Sequence, residues 1–400
     1  MKLKLPAIKT EYSIKRIHFT AENLYLLVYA LYSFFYIFNH STLNIEIVSK
    51  AVKGLTILVL GMLFAALDYT DVKKLIARVM VLLLFAVTAF TNGSLVFLCS
   101  GLLLTCACLT NFRKICKVSL ISSFSAAVTV IAAAFAGIAE NRIFDHDGAK
   151  GQSLGFYFYS TYPYIFIFNM VTYMYLRKKL SWLEIALFFG INFLIYYFSS
   201  LRLTFYLGFI VLALYIVLIK LDFIQLRRGI IKLLAVLIYP ATCMTMAVVV
   251  RTKNFHFGFW AKANELFNGR LLLSQTGFQK YPVTLLGQNI EMQGVQYQKR
   301  SYTEYFFIDS GYIYSILGYG LFFTCMILLM HSLLYYRTCE RNDKKCFIWL
   351  SAILIFNTVN NMFTSFAYNP LLLLYFANHS EYGNIFSYFR RKLFHSKEAY

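Results

Sequence analysis

Apolar residues in this chain neither alternate with polar ones nor keep to one helical stripe. They continue for stretches of about 15 to 25 residues, broken by short charged punctuation, and an α-helix needs about 20 residues to cross a bilayer. The runs predict spans near 21–39, 47–67, 75–92, 94–110, 117–139, 155–176, 182–201, 203–221, 230–250, 310–336, 346–365 and 369–387. The last has a short apolar core, Leu371 to Ala377, followed by Asn378, His379 and Glu381. The expected fold is therefore an all-α, polytopic transmembrane bundle of about 12 spans, with 11 as the alternative, forming a single membrane domain over residues 1–400. One large extracytoplasmic loop, 251–309, interrupts it between spans nine and ten.

Composition supports this pattern and removes the soluble alternative. Hydrophobic residues make up 59% and charged residues 14% of the 400, against about 25% charged in soluble domains. The eight cysteines are scattered without a CxxC pair, so neither a disulfide framework nor a zinc site is expected. The net charge of +20 would point to nucleic acid in a soluble protein, but here its distribution sets orientation. With the N-terminus inside, 26 of the 38 Lys and Arg fall in the alternate, cytoplasmic segments, as the positive-inside rule requires. Both termini are then cytoplasmic, the first span is an uncleaved anchor, and the basic excess serves orientation and membrane lipid, with no nucleic-acid partner.

Candidate chemistry concentrates outside. The long loop carries Arg251, His256, Arg270, Glu304 and, at its exit, Asp309, among aromatic residues such as Phe255, Phe257 and Trp260 that argue for an ordered segment. Arg142 and Arg202 each stand just past the outer end of a span, where an arginine either snorkels to lipid phosphates or contributes to an anion site. Guanidinium forks bind phosphates bidentately and stay charged, so several converging from different loops would make a pyrophosphate site. The triplet Asp145-His146-Asp147 before Gly148 lacks the acidic residue that would close a calcium loop and reads as a solvated turn. Gly148, Gly151 and Gly155 read as hinges. Asn169, Asn192, Asn357, Asn360 and Asn361 are the polar residues inside spans, expected to hydrogen-bond between helices.

Within the loop the order of short elements is specific. Asn268-Gly269-Arg270-Leu271 is followed by Pro282 to Gly287-Gln288, then Ile308-Asp309-Ser310-Gly311-Tyr312 leading to Gly318-Tyr319-Gly320. Upstream stand Gln152-Ser153-Leu154-Gly155-Phe156 and Ser200-Leu201-Arg202. Over roughly residues 140 to 330 this arrangement resembles the Wzy-type polysaccharide polymerases of the O-antigen polymerase and ligase superfamily. Those proteins carry "(S/N)GR", "lfGq" and "(D/H)N.YL…yG" in the same order, with "R.SLGF" and "SR" elements upstream. The chain departs from that pattern at Gly151, where a basic residue is expected and Lys150 is the nearest substitute, and at Leu201, which separates Ser200 from Arg202.

The resemblance implies a glycosyltransferase in the cytoplasmic (inner) membrane of a bacterium. It would join undecaprenyl-pyrophosphate-linked oligosaccharide repeat units into capsule, exopolysaccharide or O-antigen on the outer face. Arg270, Arg142 and Arg202, with Arg251 at the loop entrance, would hold the leaving pyrophosphate as an electrostatic clamp, with no metal or other cofactor. Asp309 would be the base for the acceptor hydroxyl, or else the N-cap of the tenth span, and His256 and Glu304 are reserves. A single displacement would invert the donor's anomeric centre. A chain-length regulator and a flippase would be natural partners. The competing readings are a flippase or transporter of lipid-linked oligosaccharide, whose repeated halves and charged central path are not visible, and an O-antigen ligase.

Overall fold

A computed structural model describes residues 20–67, 71–146, 149–293 and 305–378. Glu304 and the final residues of the last predicted span lie outside them, as do Asp147 and Gly148. The described chain is mostly helical. In order it forms α1 (Ala21–Phe38), α2 (Glu46–Ala65), α3 (Val72–Thr91), α4 (Leu95–Cys106, ending in a 3-10 turn), α5 (Phe112–Phe135) and an antiparallel hairpin of β1 (Ile143–His146) and β2 (Ala149–Gln152). Then come α6 (Thr161–Leu176), α7 (Trp182–Ser199), α8 (Arg202–Tyr215, prolonged by a π turn to Lys220) and α9 (Gly229–Thr252). The long loop contains α10 (Gly258–Leu266) and α11 (Arg270–Lys280). The chain closes with α12 (Gly311–Tyr314, continued by a π turn to Tyr319), α13 (Leu321–Arg341) and α14 (Lys344–Phe356).

Eight helices, α1, α2, α3, α5, α7, α8 with its π turn, α9 and α13, are long and apolar enough to cross a membrane. Their outward faces are apolar as well: Leu58, Met62, Phe90, Phe135, Leu187, Phe193 and Met244 are all exposed. Such a surface would aggregate in water and suits a hydrocarbon solvent. The shorter α4 and α6 are instead buried among their neighbours, with Cys99 to Ala107 and Tyr162 to Phe168 largely enclosed.

The two ends of the bundle are built differently. At one end most helix starts are capped by side chains: Thr20, Asp71, Asn111 and Asp343 accept backbone N–H bonds, and Ser181 with Glu184 forms a reciprocal capping box, while α9 starts there after Arg228 without a side-chain cap. Ion pairs Glu22–Lys114 (2.8 Å) and Glu184–Arg177 (3.0 Å), with contacts of Lys344 to Asp222 and Lys345 to the Arg177 carbonyl, tie the same end together. At the opposite end α2, α4, α6, α8, α11 and α12 all start without a side-chain cap.

Two stretches depart from the predicted spans. The run 310–336 is not one helix: Gly320, at φ +86°, breaks it between α12 and α13. The runs 346–365 and 369–387 are not two crossings over their described part. α14 has 13 residues, about 20 Å at about 1.5 Å per residue, short of the roughly 30 Å hydrocarbon core. It ends at Asn357, after which irregular chain and a 3-10 turn (Pro370–Tyr375) lead back to the capped end. There the Asn378 N–H donates to Thr110 O (2.9 Å) and Asn378 O accepts from the Phe112 N–H (3.0 Å).

Apolar composition alone could not distinguish a crossing from this buried return. Irregular backbone at that depth is tolerable only where protein satisfies it, and the spans do so. Tyr29 Oη donates to Phe366 O (2.8 Å), Ser33 Oγ to Ala367 O, Trp349 Nε1 to Asn369 Oδ1 (2.9 Å), and the Met362 N–H to Asn357 Oδ1 (2.9 Å).

Candidate functional site

The described parts of the long loop share a small core, in which Val250, Phe255, Leu271, Ile290, Phe306, Ile308, Ile313 and Leu317 pack together. Its middle is fastened to the break between α12 and α13. The Gln288 N–H donates to Gly318 O (2.9 Å), Gln288 Nε2 to Leu317 O (3.1 Å), and the N–H groups of Leu321 and Phe322 to Thr284 O and Leu285 O. From the end of α3, Asn92 Nδ2 donates to Gly318 O (3.0 Å) and Thr91 Oγ1 to Leu286 O (3.3 Å). Gly287 and Gly320 face each other here in the left-handed region (φ +90° and +86°), where a Cβ on either would fall within 2.4 Å of the other segment's backbone. The Gly287-Gln288 and Gly318-Tyr319-Gly320 elements, 30 residues apart in sequence, therefore form one joint.

That joint and α11 bring Arg270 to Asp309. Asn268 and Gly269 take positive φ (52° and 78°), a turn open to Asn and Gly but costly for most residues, and Arg270 opens α11 directly after it. Asp309 is held from both sides. Ile308 seats against α11 so tightly that a Cβ on Gly277 would lie 2.6 Å from it, and the Gly311 N–H donates to Asn357 O (2.9 Å). Arg270 Nε then donates to Asp309 Oδ2 at 3.1 Å, with side-chain exposures of only 14% and 18%.

This bond uses Nε alone. Among the described residues no hydrogen bond engages either Nη group of Arg270, so a mostly buried guanidinium keeps its terminal donors free. The N-cap expectation for Asp309 is corrected: α12 starts after Ser310 and no side chain caps it, the carboxylate being turned to Arg270.

The electrostatics follow from burial. Desolvation raises Asp309 above the ordinary carboxylate range, and Arg270 only partly offsets it. Burial alone would lower Arg270, but Asp309 reverses this and holds its pKa above the usual value. Burial and the Asp309 charge push the Tyr305 phenol to about 12, and burial together with Tyr164 raises Tyr159. Tyr159, Tyr164 and Tyr305 thus surround the pair at electrostatic range. Sequence reasoning considered Tyr302, Tyr305 and Tyr312 for stacking on sugar rings but named none as a site, since 31 tyrosines give no signal for any one, and Tyr159 and Tyr164 were not considered. Tyr302 lies outside the described residues, and Tyr312 is fully buried and donates to Leu354 O (3.1 Å).

The other expected residues have partners or settings of their own. Arg142 is bound to Glu140 (2.9 Å) and lies over the Tyr157 ring at 5.5 Å. Arg202 is exposed at the start of α8, and Arg251 is exposed with its guanidinium over Phe278 at 5.3 Å. Among the described residues none of the three is hydrogen-bonded or ion-paired to Asp309, whose guanidinium partner is Arg270. His256 is exposed and only its backbone is engaged, by Asn254 (2.9 Å).

The hairpin explains the departure at Gly151. A Cβ on Gly151 would lie 2.6 Å from Ser199 O and 3.1 Å from the Tyr159 ring, so no side chain fits where a basic residue was expected. Lys150 is exposed, and its carbonyl accepts from Ser200 Oγ (3.3 Å). Ser153 is buried and accepts the Arg142 N–H (2.8 Å), which places the Ser153–Phe156 element as an anchor for the hairpin. Among the described residues no three His, Cys, Asp or Glu side chains gather as metal ligands. No protein family, curated protein or solved structure matches the chain.

Proposed function

We propose that this multi-pass membrane protein is a glycosyltransferase of the polysaccharide-polymerase type. It would transfer a lipid-linked glycan from a polyprenyl-pyrophosphate carrier to a hydroxyl of another lipid-linked repeat unit, at the uncapped end of the bundle. The observation that carries this reading is the Arg270–Asp309 pair, in which one mostly buried guanidinium is held by its Nε and retains both Nη groups. The order of the loop elements around it, which resembles the Wzy-type polymerases, supplies the substrate class.

The geometry supports a substrate-switched base. A pyrophosphate entering beside Arg270 competes with Asp309 for the guanidinium, and the bidentate fork favours the dianionic oxygens. Loss of the cation raises the carboxylate's proton affinity further, because Arg270 is what lowers it at rest. Asp309 then takes the proton of the acceptor hydroxyl as its oxygen bonds to the anomeric carbon. The bond from that carbon to the pyrophosphate oxygen breaks, and the leaving electron pair is stabilised by Arg270. One displacement inverts the anomeric centre. A transporter needs no such acid and base in contact, whereas a ligase would use the same chemistry with a different acceptor.

The test is the size profile of surface and lipid-linked glycans in the source strain with the gene deleted, then restored as wild type, Arg270→Ala or Asp309→Asn. Single repeats replacing a ladder, cured only by wild type, support the polymerase. Full-length polymer stranded on its carrier assigns a ligase, and repeats trapped on the inner leaflet refute both.

A further inference from the structure

A second polar cavity opens at the same end of the bundle, away from the pair. It holds about 210 Å³ between the end of α1, the first turns of α2 and the start of α4, lined by Tyr32, Phe35, Tyr36, Asn39, His40, Ser49, Val52, Lys53 and Val96. It is smaller than the roughly 300–1,000 Å³ of pockets for drug-sized ligands and suits a single ring or head group. Its place in the bundle is fixed by the bonds from the Tyr157 N–H to His40 O (2.9 Å) and from the Thr42 N–H to Gly155 O (2.8 Å), which tie it to the anchor below the hairpin.

Three features make the cavity more than a packing defect. Lys53 is half-buried and has no acidic partner among the described residues, Glu46 being taken by Lys50 at 2.7 Å. Asn39 Oδ1 is buried without a donor, an arrangement that costs free energy unless something supplies a proton to it. His40 Nδ1 lies 2.7 Å from Tyr36 O, which assigns its proton there and leaves Nε2 as an acceptor. Burial holds this imidazole below its ordinary pKa, and Lys53 adds to the effect. A cation, two acceptors, the Ser49 hydroxyl and the faces of Tyr32 and Tyr36 are the groups that bind a hydroxyl-rich ring carrying a negative charge.

Tyr36, in the cavity lining, also has its ring 6.5 Å from that of Tyr368. We infer that the α1–α2–α4 cavity is a subsite for an anionic group of a glycan substrate, with Lys53 as its charge partner and Asn39 and His40 accepting from ring hydroxyls. The anion is a sugar carboxylate or a carrier phosphate. The assignment of a glycan rests on the polymerase reading, but the site itself does not.

The test uses the full chain in nanodiscs and ligand-detected NMR with three probes: methyl glucuronide, methyl glucoside and inorganic pyrophosphate. Competition between probes, and wild type against Lys53→Met, Lys53→Arg and Arg270→Ala, separate the sites. The expected result is that an anionic probe binds wild type more tightly than the neutral glycoside. Lys53→Met should weaken that probe by about tenfold or more, the worth of one charge-assisted hydrogen bond, and Lys53→Arg should restore it; both comparisons are made in the Arg270→Ala background, which removes the pyrophosphate bound at the ion pair. Preference for glucuronide assigns an acidic sugar, and preference for pyrophosphate assigns the carrier. Equal binding of all three probes, or insensitivity to Lys53→Met, overturns the subsite. An abolished ladder in Lys53→Met cells with normal probe binding would likewise overturn it, while a failed polymerase test with intact Lys53-dependent binding would leave the site and remove only the glycan.

Discussion

The contact between Arg270 and Asp309 is best probed by a double-mutant cycle of Arg270→Gln, Asp309→Asn and both together. At 3.1 Å two unit charges attract by about 5 kcal/mol with an effective dielectric constant of about 20. Most of that is returned as the cost of removing both ions from water, so the pair's net worth is small. Removing one partner is different, because it strands the other charge in a site where side chains are only 14% and 18% exposed, which costs about 3 kcal/mol. Each single variant should therefore lose about 3 kcal/mol of stability, while the double, with two neutral amides in contact, should recover most of it. Turnover should behave in the opposite sense. Each single variant loses about 10²–10³ in rate, the usual cost of removing a group that meets developing charge, and the double recovers nothing because the two act as one unit. Thermal unfolding of the full chain in one fixed detergent, together with transfer from a defined lipid-linked oligosaccharide, reads both quantities. Additive stability losses would show that the ion pair does not form. Asp309→Asn retaining rate within a few-fold would remove it as the base.

The pH dependence carries a definite sign. Burial raises Asp309 above its ordinary value of 3.8, so its contribution to stability is present at low pH and is lost as pH rises through the raised pKa. Transfer activity, which needs the ionised base, should rise across that same window. Asp309→Asn should flatten the stability slope, and a slope unchanged in that variant would place the titration elsewhere. Gly287→Ala and Gly320→Ala each impose a Cβ at φ near +90° against backbone at 2.4 and 2.2 Å, and should destabilise by about 3 kcal/mol through conformational and packing terms. Limited proteolysis in the long loop should accelerate with them, and equal resistance in variant and wild type would deny the joint between loop and bundle. Tyr29→Phe leaves the Phe366 carbonyl without its 2.8 Å donor and should cost about 1–3 kcal/mol. A neutral effect on thermal unfolding would mean that another donor reaches this buried return.

Much of the bundle is legible in the sequence because hydrocarbon imposes a simple rule. Long apolar runs bounded by Asp71, Asn111, Ser181 or Asp343 end in helices capped by those same side chains. What periodicity could not show is the difference between apolar residues facing lipid and apolar residues facing protein. α14 and the chain after it are as hydrophobic as any span, yet they turn back because Asn357 and Asn369 find partners inside. Asn360 and Asn361 belong to the same polar turn, with Asn361 bound to Tyr319. Asn357, Asn360 and Asn361 were visible as polar residues in spans and Asn369 was not, and the pairing of Asn357 with a backbone N–H or of Asn369 with an indole is a tertiary fact. The site divides similarly. Arg270 and Asp309 stood out by residue type and place in the loop, while Tyr159, Tyr164 and Tyr305 had no distinguishing mark. Arg142 is engaged by Glu140 and the Tyr157 ring and Arg251 by the Phe278 ring, and a linear pattern does not show which partner an arginine takes.

The division of labour between the two ends gives these details a common cause. Side-chain caps and ion pairs lock the basic end, so the helices emerge from it in fixed register. The left-handed backbone positions collect at the other end: Leu154, Gly155, Ser200, Asn268, Gly269, Gly287 and Gly320 all lie there, against Asp222 and Asn342 at the locked end. Conformations of this kind cost free energy and persist where the surroundings over-determine them, commonly next to functional sites. Here they make the sharp turns that place the hairpin anchor, the start of α11 and the loop joint around Arg270 and Asp309. The frame that tolerates such turns is the packing of α4, α6 and the buried return behind them.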